Sequence, residues 1–196
     1  SGVYQAGVLE VLKAFMGKAK FSLGQFTPQI NKLTDNTDNF DLLQAALNKM
    51  GQRGKVDHQG EQIAEAVGVA ALAAKKREAK RPVLILMTIG GTGAVQSANH
   101  IMDQLAESGA SLNVVYINNS DVGQVVGDGP RQSGGRLEQA PGINALPAAV
   151  QKIIDSLANQ YVLTYTLPDG VKPSDRVNIA TTRKGINLFA PTRIPK

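Results

Sequence analysis

Val83-Leu84-Ile85-Leu86-Met87-Thr88 is an unbroken apolar run that empties into Ile89-Gly90-Gly91-Thr92-Gly93. A strand that is apolar on both sides must be covered on both faces, which places it inside a parallel α/β sheet. Ligands of such sheets bind in the crevice beyond the carboxyl ends of the strands, so the glycine-rich exit marks the candidate functional edge. That exit carries no carboxylate, histidine or lysine.

The flanking segments continue the pattern. Tyr4, Val8, Leu12 and Phe15 fall at helical spacing, and Phe21 to Phe26 reads as a strand closed by Thr27-Pro28. Thr37 or Asp38 is placed to cap a helix that buries Phe40, Leu43, Leu47 and Met50. After a polar connection from Gly51 to Gln59, a third helix turns Ile63, Ala66, Val67, Ala70 and Ala74 inward and ends before Pro82. A fourth follows the apolar strand, with Ala98, Ile101, Met102 and Leu105 inward and Gly109 as its stop. Leu112 to Ile117 is the next strand. Asn118 to Gly142 has six glycines, two prolines and no periodicity, so a long loop is expected there. Pro147 suits the first turn of a last helix with Val150, Ile153, Ile154 and Leu157 on one face. Tyr161–Leu167, Arg176–Thr182 and Ile186–Ala190 read as further strands. The expected division is an α/β domain over residues 1–158 and an antiparallel β extension over 159–196.

Composition narrows the function. The 196 residues are 42% apolar and 19% charged, enough for a normal core, and cysteine is absent, which excludes disulfides and cysteine-ligated metals. No stretch reaches the ~20 apolar residues of a membrane-spanning helix. The net charge of +5 is concentrated in Lys75-Lys76-Arg77-Glu78-Ala79-Lys80-Arg81, a helix end where cations are favoured by the macrodipole. No aromatic residues interleave with these cations, which argues against nucleic acid. His58 and His100 share no recognisable partner. Asp35, Asp38 and Asp41 sit at a turn and helix start without the Asp-x-Asp-x-Asp-Gly spacing of a calcium loop.

The order helix, strand, helix, helix, buried strand, helix, strand, helix resembles a von Willebrand factor A domain whose first strand is missing. Phe26-Thr-Pro-Gln-Ile-Asn-Lys-Leu-Thr-Asp-Asn-Thr37 resembles that family's second strand and following turn. Val83 to Gly90 resembles its central strand ending in Thr-Asp-Gly. Ser133-Gly-Gly-Arg136 and Gln160-Tyr-Val-Leu-Thr-Tyr165 resemble the tail of bacterial relatives abundant in Acidobacteria. The resemblance implies a doubly wound, mostly parallel sheet with helices on both faces and an exported, periplasmic or envelope-associated setting. It also implies a metal-ion-dependent adhesion site built from Asp-x-Ser-x-Ser, a second-loop Thr and a third-loop Asp.

Carried onto this chain, Ser1-Gly2-Val3 falls on Ser-x-Ser with Val3 for the second serine. Gln59-Gly60-Glu61 covers the second loop, with Glu61 for Thr, and Thr88-Ile89-Gly90 falls on Thr-Asp-Gly with Ile89 for Asp. An isoleucine cannot ligate a hard cation, so the site is read as degenerate and no metal or other cofactor is expected. The candidate interaction edge is Ser1, Gly2, Val3, Gln59, Gly60, Glu61, Thr88, Ile89, Gly90, Gly91 and Thr92. In the family the first strand lies between the second strand and the one at Val83. Its omission leaves two strand edges and an apolar trough, and a segment preceding Ser1 is expected to supply it. The expected function is non-enzymatic protein–protein interaction or adhesion without a bridging cation, engaging a protein partner. Two alternatives remain open. One is a nucleotide- or phosphate-binding enzyme using Gly90–Gly93, and the other is an assembly subunit, including a homo-oligomer, completed by strand addition.

Overall fold

A computed structural model of the chain describes residues 2–27, 29–51, 59–90, 95–118, 121–164, 166–172, 174 and 176–193. Helix α1 (Gly2–Phe15) leads into strand β1 (Phe21–Thr27), which pairs antiparallel with β2 (Gln29–Thr37). Helices α2 (Phe40–Asn48) and α3 (Gln59–Lys76) follow, then β3 (Val83–Ile89), α4 (Ala98–Ser108) and β4 (Ser111–Ile117). Helix α5 (Gln124–Ser133), β5 (Leu137–Ala140), a 3-10 turn (Ile143–Ala145) and α6 (Leu146–Ala158) complete the α/β unit. Strands β3, β4 and β5 form a parallel sheet in that order, with Val83 opposite Ser111 and Ile89 opposite Ile117.

Alternation along the strands divides the core. Leu84 and Leu86 of β3 and Leu112, Val114 and Tyr116 of β4 pack with Ile63, Val67 and Ala71 of α3, Ile101 and Leu105 of α4 and Val125 of α5. Ile85, Met87, Val115 and Ile117 face the opposite layer, against Val11 of α1 and Val150, Ile153 and Ile154 of α6. A third cluster joins Leu12 of α1 to Leu43 and Leu47 of α2 and to Phe21 and Leu23 of β1. The mixed α/β architecture with helices on both faces is as expected.

Several expectations need correction. Asn39, not Thr37 or Asp38, caps α2; its side-chain oxygen accepts the Leu42 N–H at 3.1 Å. Phe40 is exposed rather than buried, because the inward stripe runs through Leu43, Ala46 and Leu47. Asn118–Gly142 is not a structureless loop: it contains α5 and β5. The glycines that hide the helix from a periodicity reading serve close packing. A Cβ on Gly129 would lie 2.8 Å from Leu112 Cδ2, and one on Gly135 would lie 1.9 Å from the Leu112 carbonyl oxygen. The C-terminal strands are also not seen among the described residues. After Ala158 the antiparallel pairing is reduced to two isolated bridges, Ser133 with Pro191 and Arg176 with Arg193. Tyr161, Val162 and Leu163, which open the expected strand Tyr161–Leu167, stand exposed, and no strand pairs with them among the described residues.

The hairpin is tied to α3 by a polar clamp. Asp35 of β2 accepts from Ser22 Oγ of β1 at 2.8 Å and from Lys32 Nζ at 2.9 Å, and it also pairs with Arg77 just past α3. Lys32 and then Arg77 hold the Asp35 carboxyl well below the usual carboxylate range. A depressed folded-state pKa contributes stability above the unfolded value, about 3.9, and loses it as pH falls further. Asp35→Asn should therefore lower the melting temperature at neutral pH, with the gap to the parent chain narrowing steadily below about pH 4. Melting curves of both proteins across pH 2–7 check this, and a gap independent of pH would refute it.

Candidate functional site

The two ends of the sheet are chemically different. Ser22, at the start of β1, shares Asp35 with Arg77 just past the C-terminus of α3, so these mark one end. At the other end the Gln59 side chain, in the first turn of α3, donates to the Ile89 carbonyl at the end of β3. Strands β1 and β3 therefore run in the same direction. Gln25, near the end of β1, donates to the Gly51 carbonyl at 2.8 Å. Gln5, in the first turns of α1, donates to the carbonyls of Leu47 and Met50 at 2.9 and 3.1 Å. The starts of α1 and α3 and the carboxyl ends of β1 and β3 thus share one edge, where helix N-termini place their free N–H groups.

Within this edge the candidate residues take distinct roles. Gln59 Nε2 lies 2.5 Å from the Ile89 oxygen. Gly90 turns the chain with φ of +73°, and a Cβ there would sit 3.1 Å from Gln59 Oε1. The Glu61 carboxylate accepts the Gln96 N–H at 2.7 Å and the Ser97 hydroxyl at 3.2 Å. It thereby ties the start of α3 to the two residues that lead into α4, whose own N-cap Ser97 makes no side-chain capping bond. Ile89 and Val3 are exposed apolar side chains, at 47% and 37%. Gly2 opens α1 and Gly60 lies in the first turn of α3. Ser1, Gly91 and Thr92 lie outside the described residues.

Thr88 is the polar residue of the edge with an unmet demand. It is 3% exposed, and its hydroxyl has no hydrogen-bond partner among the described residues. The side-chain oxygens of Gln25 and Gln62 are buried and unpartnered in the same way. Neither glutamine stood out in the sequence, because a lone polar residue in an amphipathic segment carries no periodic signal.

Among the described residues the titratable groups give this edge no acid–base pair. Burial pushes the Tyr4 phenol up to about 12, so it stays protonated at neutral pH. His100 lies on α4 with its ring nitrogen 2.9 Å from Gln104 Nε2, and His58 lies outside the described residues. Among the described residues no three His, Asp or Glu side chains group as they would around a metal. The basic run is a solvated helix end, where Lys75 pairs with Glu107 at 2.7 Å and Arg77 with Asp35.

No protein-family model matches the sequence, and no curated protein matches it. Two crystal structures of proximal thread matrix protein 1 from the mussel byssus share the fold, with TM-scores of 0.63 and 0.62 at 15% and 16% identity. Each match covers 79% of this chain, but only 41% and 42% of the thread protein. The chain therefore spans about two-fifths of that protein's length. An uncharacterized membrane spanning protein from Vibrio fischeri aligns at 18% identity over 78% of this chain and 84% of its own, with a TM-score of 0.29 that supports no common fold. No helix among the described residues is long and apolar enough to cross a membrane.

Because Glu61 joins α3 to the approach of α4, its removal is a stability defect. Glu61→Ala should cost about 1 kcal/mol, the usual net worth of a hydrogen bond, and Glu61→Gln should restore most of it by keeping an acceptor oxygen. Chemical denaturation of the three proteins checks the order. Equal stability of the alanine variant and the parent would remove the joining role.

Proposed function

We propose that this chain is a non-enzymatic protein-interaction module of the von Willebrand factor A type, with a degenerate metal-ion-dependent adhesion site. The observation that carries the reading is the occupation of the edge. At the position of the third-loop acid stands Ile89, an exposed hydrocarbon next to a buried threonine. At the second loop stands Glu61, whose two oxygens are engaged with the start of α4. Hard oxygen ligands converging on one point are what a divalent cation requires. Here the edge instead presents apolar side chains and backbone.

Exposed Ile89 and Val3 suit contact with another protein surface, since apolar groups at a rim of helix N-termini gain by being covered. The fold shared with a thread matrix protein supports a structural, non-catalytic role, and an exported setting fits the same reading. Nucleotide binding at the Gly90–Gly93 turn is the competing outcome.

A thermal-shift series with Mg²⁺, Mn²⁺, Ca²⁺, ATP and NAD separates these readings. Ligand bound to the folded state at 100 times its Kd stabilises by about 2.7 kcal/mol. The module reading expects no such shift with any of the five. A clear shift with a cation would overturn the degenerate site, and one with ATP or NAD would overturn the non-enzymatic reading itself.

A further inference from the structure

Beyond α6 the chain keeps few bonds to the α/β unit. Asn159 Nδ2 donates to the Asp155 carbonyl of α6 at 2.7 Å. Among the described residues the next ties come at the far end of the segment. There Phe189 lies against the Arg136 guanidinium, the Thr192 N–H meets the Gln132 carbonyl at 3.0 Å, and Arg193 pairs with Asp103 at 2.6 Å. Within 159–193 no described residue is buried, and only Val177, Ala190 and Arg193 are half-buried. The segment is an exposed arm fastened at its two ends.

Its composition is not that of an ordinary solvated linker. Exposed hydrocarbon stands near both ends, with Tyr161 and Leu163 at 90% and 67% and Leu188 and Phe189 at 47% and 49%. Residues 161–167 and 186–190 carry no charge. Between them lie Lys172, Arg176, Arg183 and Lys184, none of which has an ion-pair partner among the described residues. Residues 159–196 hold six Lys and Arg against two Asp, so four of the chain's five net positive charges are here. Gly170 and Gly185, at φ of +83° and +79°, turn the chain close to where the apolar stretches meet the cationic one.

We infer that this arm is a peripheral docking segment for an anionic phospholipid surface. A bilayer surface answers both halves of the arm's chemistry: hydrocarbon side chains enter the boundary between headgroups and acyl chains, while Lys and Arg meet the anionic headgroups. Other polyanions answer one half. A sulfated polysaccharide or a nucleic acid would pair with the cations and leave Tyr161, Leu163 and Leu188 in water. A single-stranded nucleic acid also wants aromatic platforms, and the stretch 167–188 that holds the four cations has no aromatic residue. A folded protein partner rewards a surface of fixed, complementary shape, whereas a fluid bilayer accepts an irregular chain broken at Pro168, Gly170 and Gly185. Docking of this kind lies on the membrane and needs no spanning helix. The site is separate from the Ile89 edge and does not depend on the module reading.

The test uses the 196-residue chain with lipid vesicles. It should co-sediment with phosphatidylcholine vesicles containing roughly one-third phosphatidylglycerol and not with phosphatidylcholine alone. Raising salt from about 0.05 M to about 0.5 M should release most of it. Replacing the four cations together, Lys172→Gln, Arg176→Gln, Arg183→Gln and Lys184→Gln, should weaken binding to the anionic vesicles by about a hundredfold or more. The melting temperature should not change, because all four side chains are exposed. Leu163→Ser combined with Leu188→Ser should weaken binding by about tenfold, a loss that attraction between charges alone would not produce. The chain has no cysteine, so Leu163→Cys supplies a single thiol for an environment-sensitive dye. Its emission should shift to the blue on anionic vesicles, and the same dye at Ile89→Cys should not respond.

No binding to the anionic vesicles, equal binding to neutral ones, or full binding by the glutamine variant would each overturn the proposal. So would a dye response at position 89 in place of 163. Binding to dextran sulfate or duplex DNA as tight as to vesicles, with the serine variant matching the parent, would make the arm a general polyanion binder and overturn the lipid assignment. The cation and nucleotide series at the carboxyl edge is independent of every one of these results.

Discussion

The parallel ladder between β3 and β4 is the constraint on which the rest of the molecule depends. It runs through all seven residues of each strand, from Val83 with Ser111 to Ile89 with Ile117. A buried strand must have its backbone groups paired, since each unpaired group away from water costs as much as a lost hydrogen bond. Strand β4 meets that demand on both edges, with β3 on one side and β5 on the other, and its residues from Leu112 to Ile117 are buried throughout. Among the described residues strand β3 meets it on one edge. The apolar sequence of β3 is written for a position as central as that of β4, but its burial is that of a rim.

Polar interactions are distributed around this ladder in a way that separates anchoring from function. At the amino end the Asp35 cluster fastens the hairpin to α3. At the carboxyl end Gln5, Gln59 and Glu61 tie helix starts to loops and to the last carbonyl of β3. Far along the sheet, Glu138 of β5 pairs with Arg136 and with Lys152 of α6 at 3.1 Å, while the Arg136 guanidinium lies 5.1 Å from the centre of the Phe189 ring. This last contact and the Thr192 N–H bond to the Gln132 carbonyl hold the returning C-terminal segment against the end of α5. Groups that could have done chemistry at the carboxyl edge are instead engaged in joining elements.

What the sequence disclosed follows from where the information resides. The inward face and the stop of helix α4 were legible, because Ala98, Ile101, Met102 and Leu105 keep strict helical spacing and Gly109 ends it in the left-handed conformation, φ 64°. Strands β3 and β4 were legible from continuous apolar composition. Helix α5 was not, because its identity rests on tertiary fit: Gly129 and Pro130 are buried, and a ten-residue helix containing Pro130 has little local propensity of its own. The tail misled for the opposite reason. Residues 161–167 have the composition of a strand, but a strand forms only where another edge receives it. At the site, the apolar Ile89 that ends β3 could be read directly. The partners of Glu61 could not, since Gln96 and Ser97 lie 35 and 36 residues away and no spacing rule connects them.

Among the described residues the carboxyl edge gathers no three His, Asp or Glu side chains as they would group around a metal. A shifted protonation equilibrium or a bound cation is a common mark of a catalytic sheet edge. The large shifts here belong to Tyr4, moved by burial, and to Asp35 at the opposite end, moved by its hydrogen bonds to Lys32, Arg77 and Ser22. What the described part of the edge offers is exposed hydrocarbon at Ile89 and Val3 and the N–H groups of helix starts. An apolar side chain such as Ile89 gains from contact with any covering surface, whereas the N–H groups of a helix start gain only from an acceptor placed in line with them.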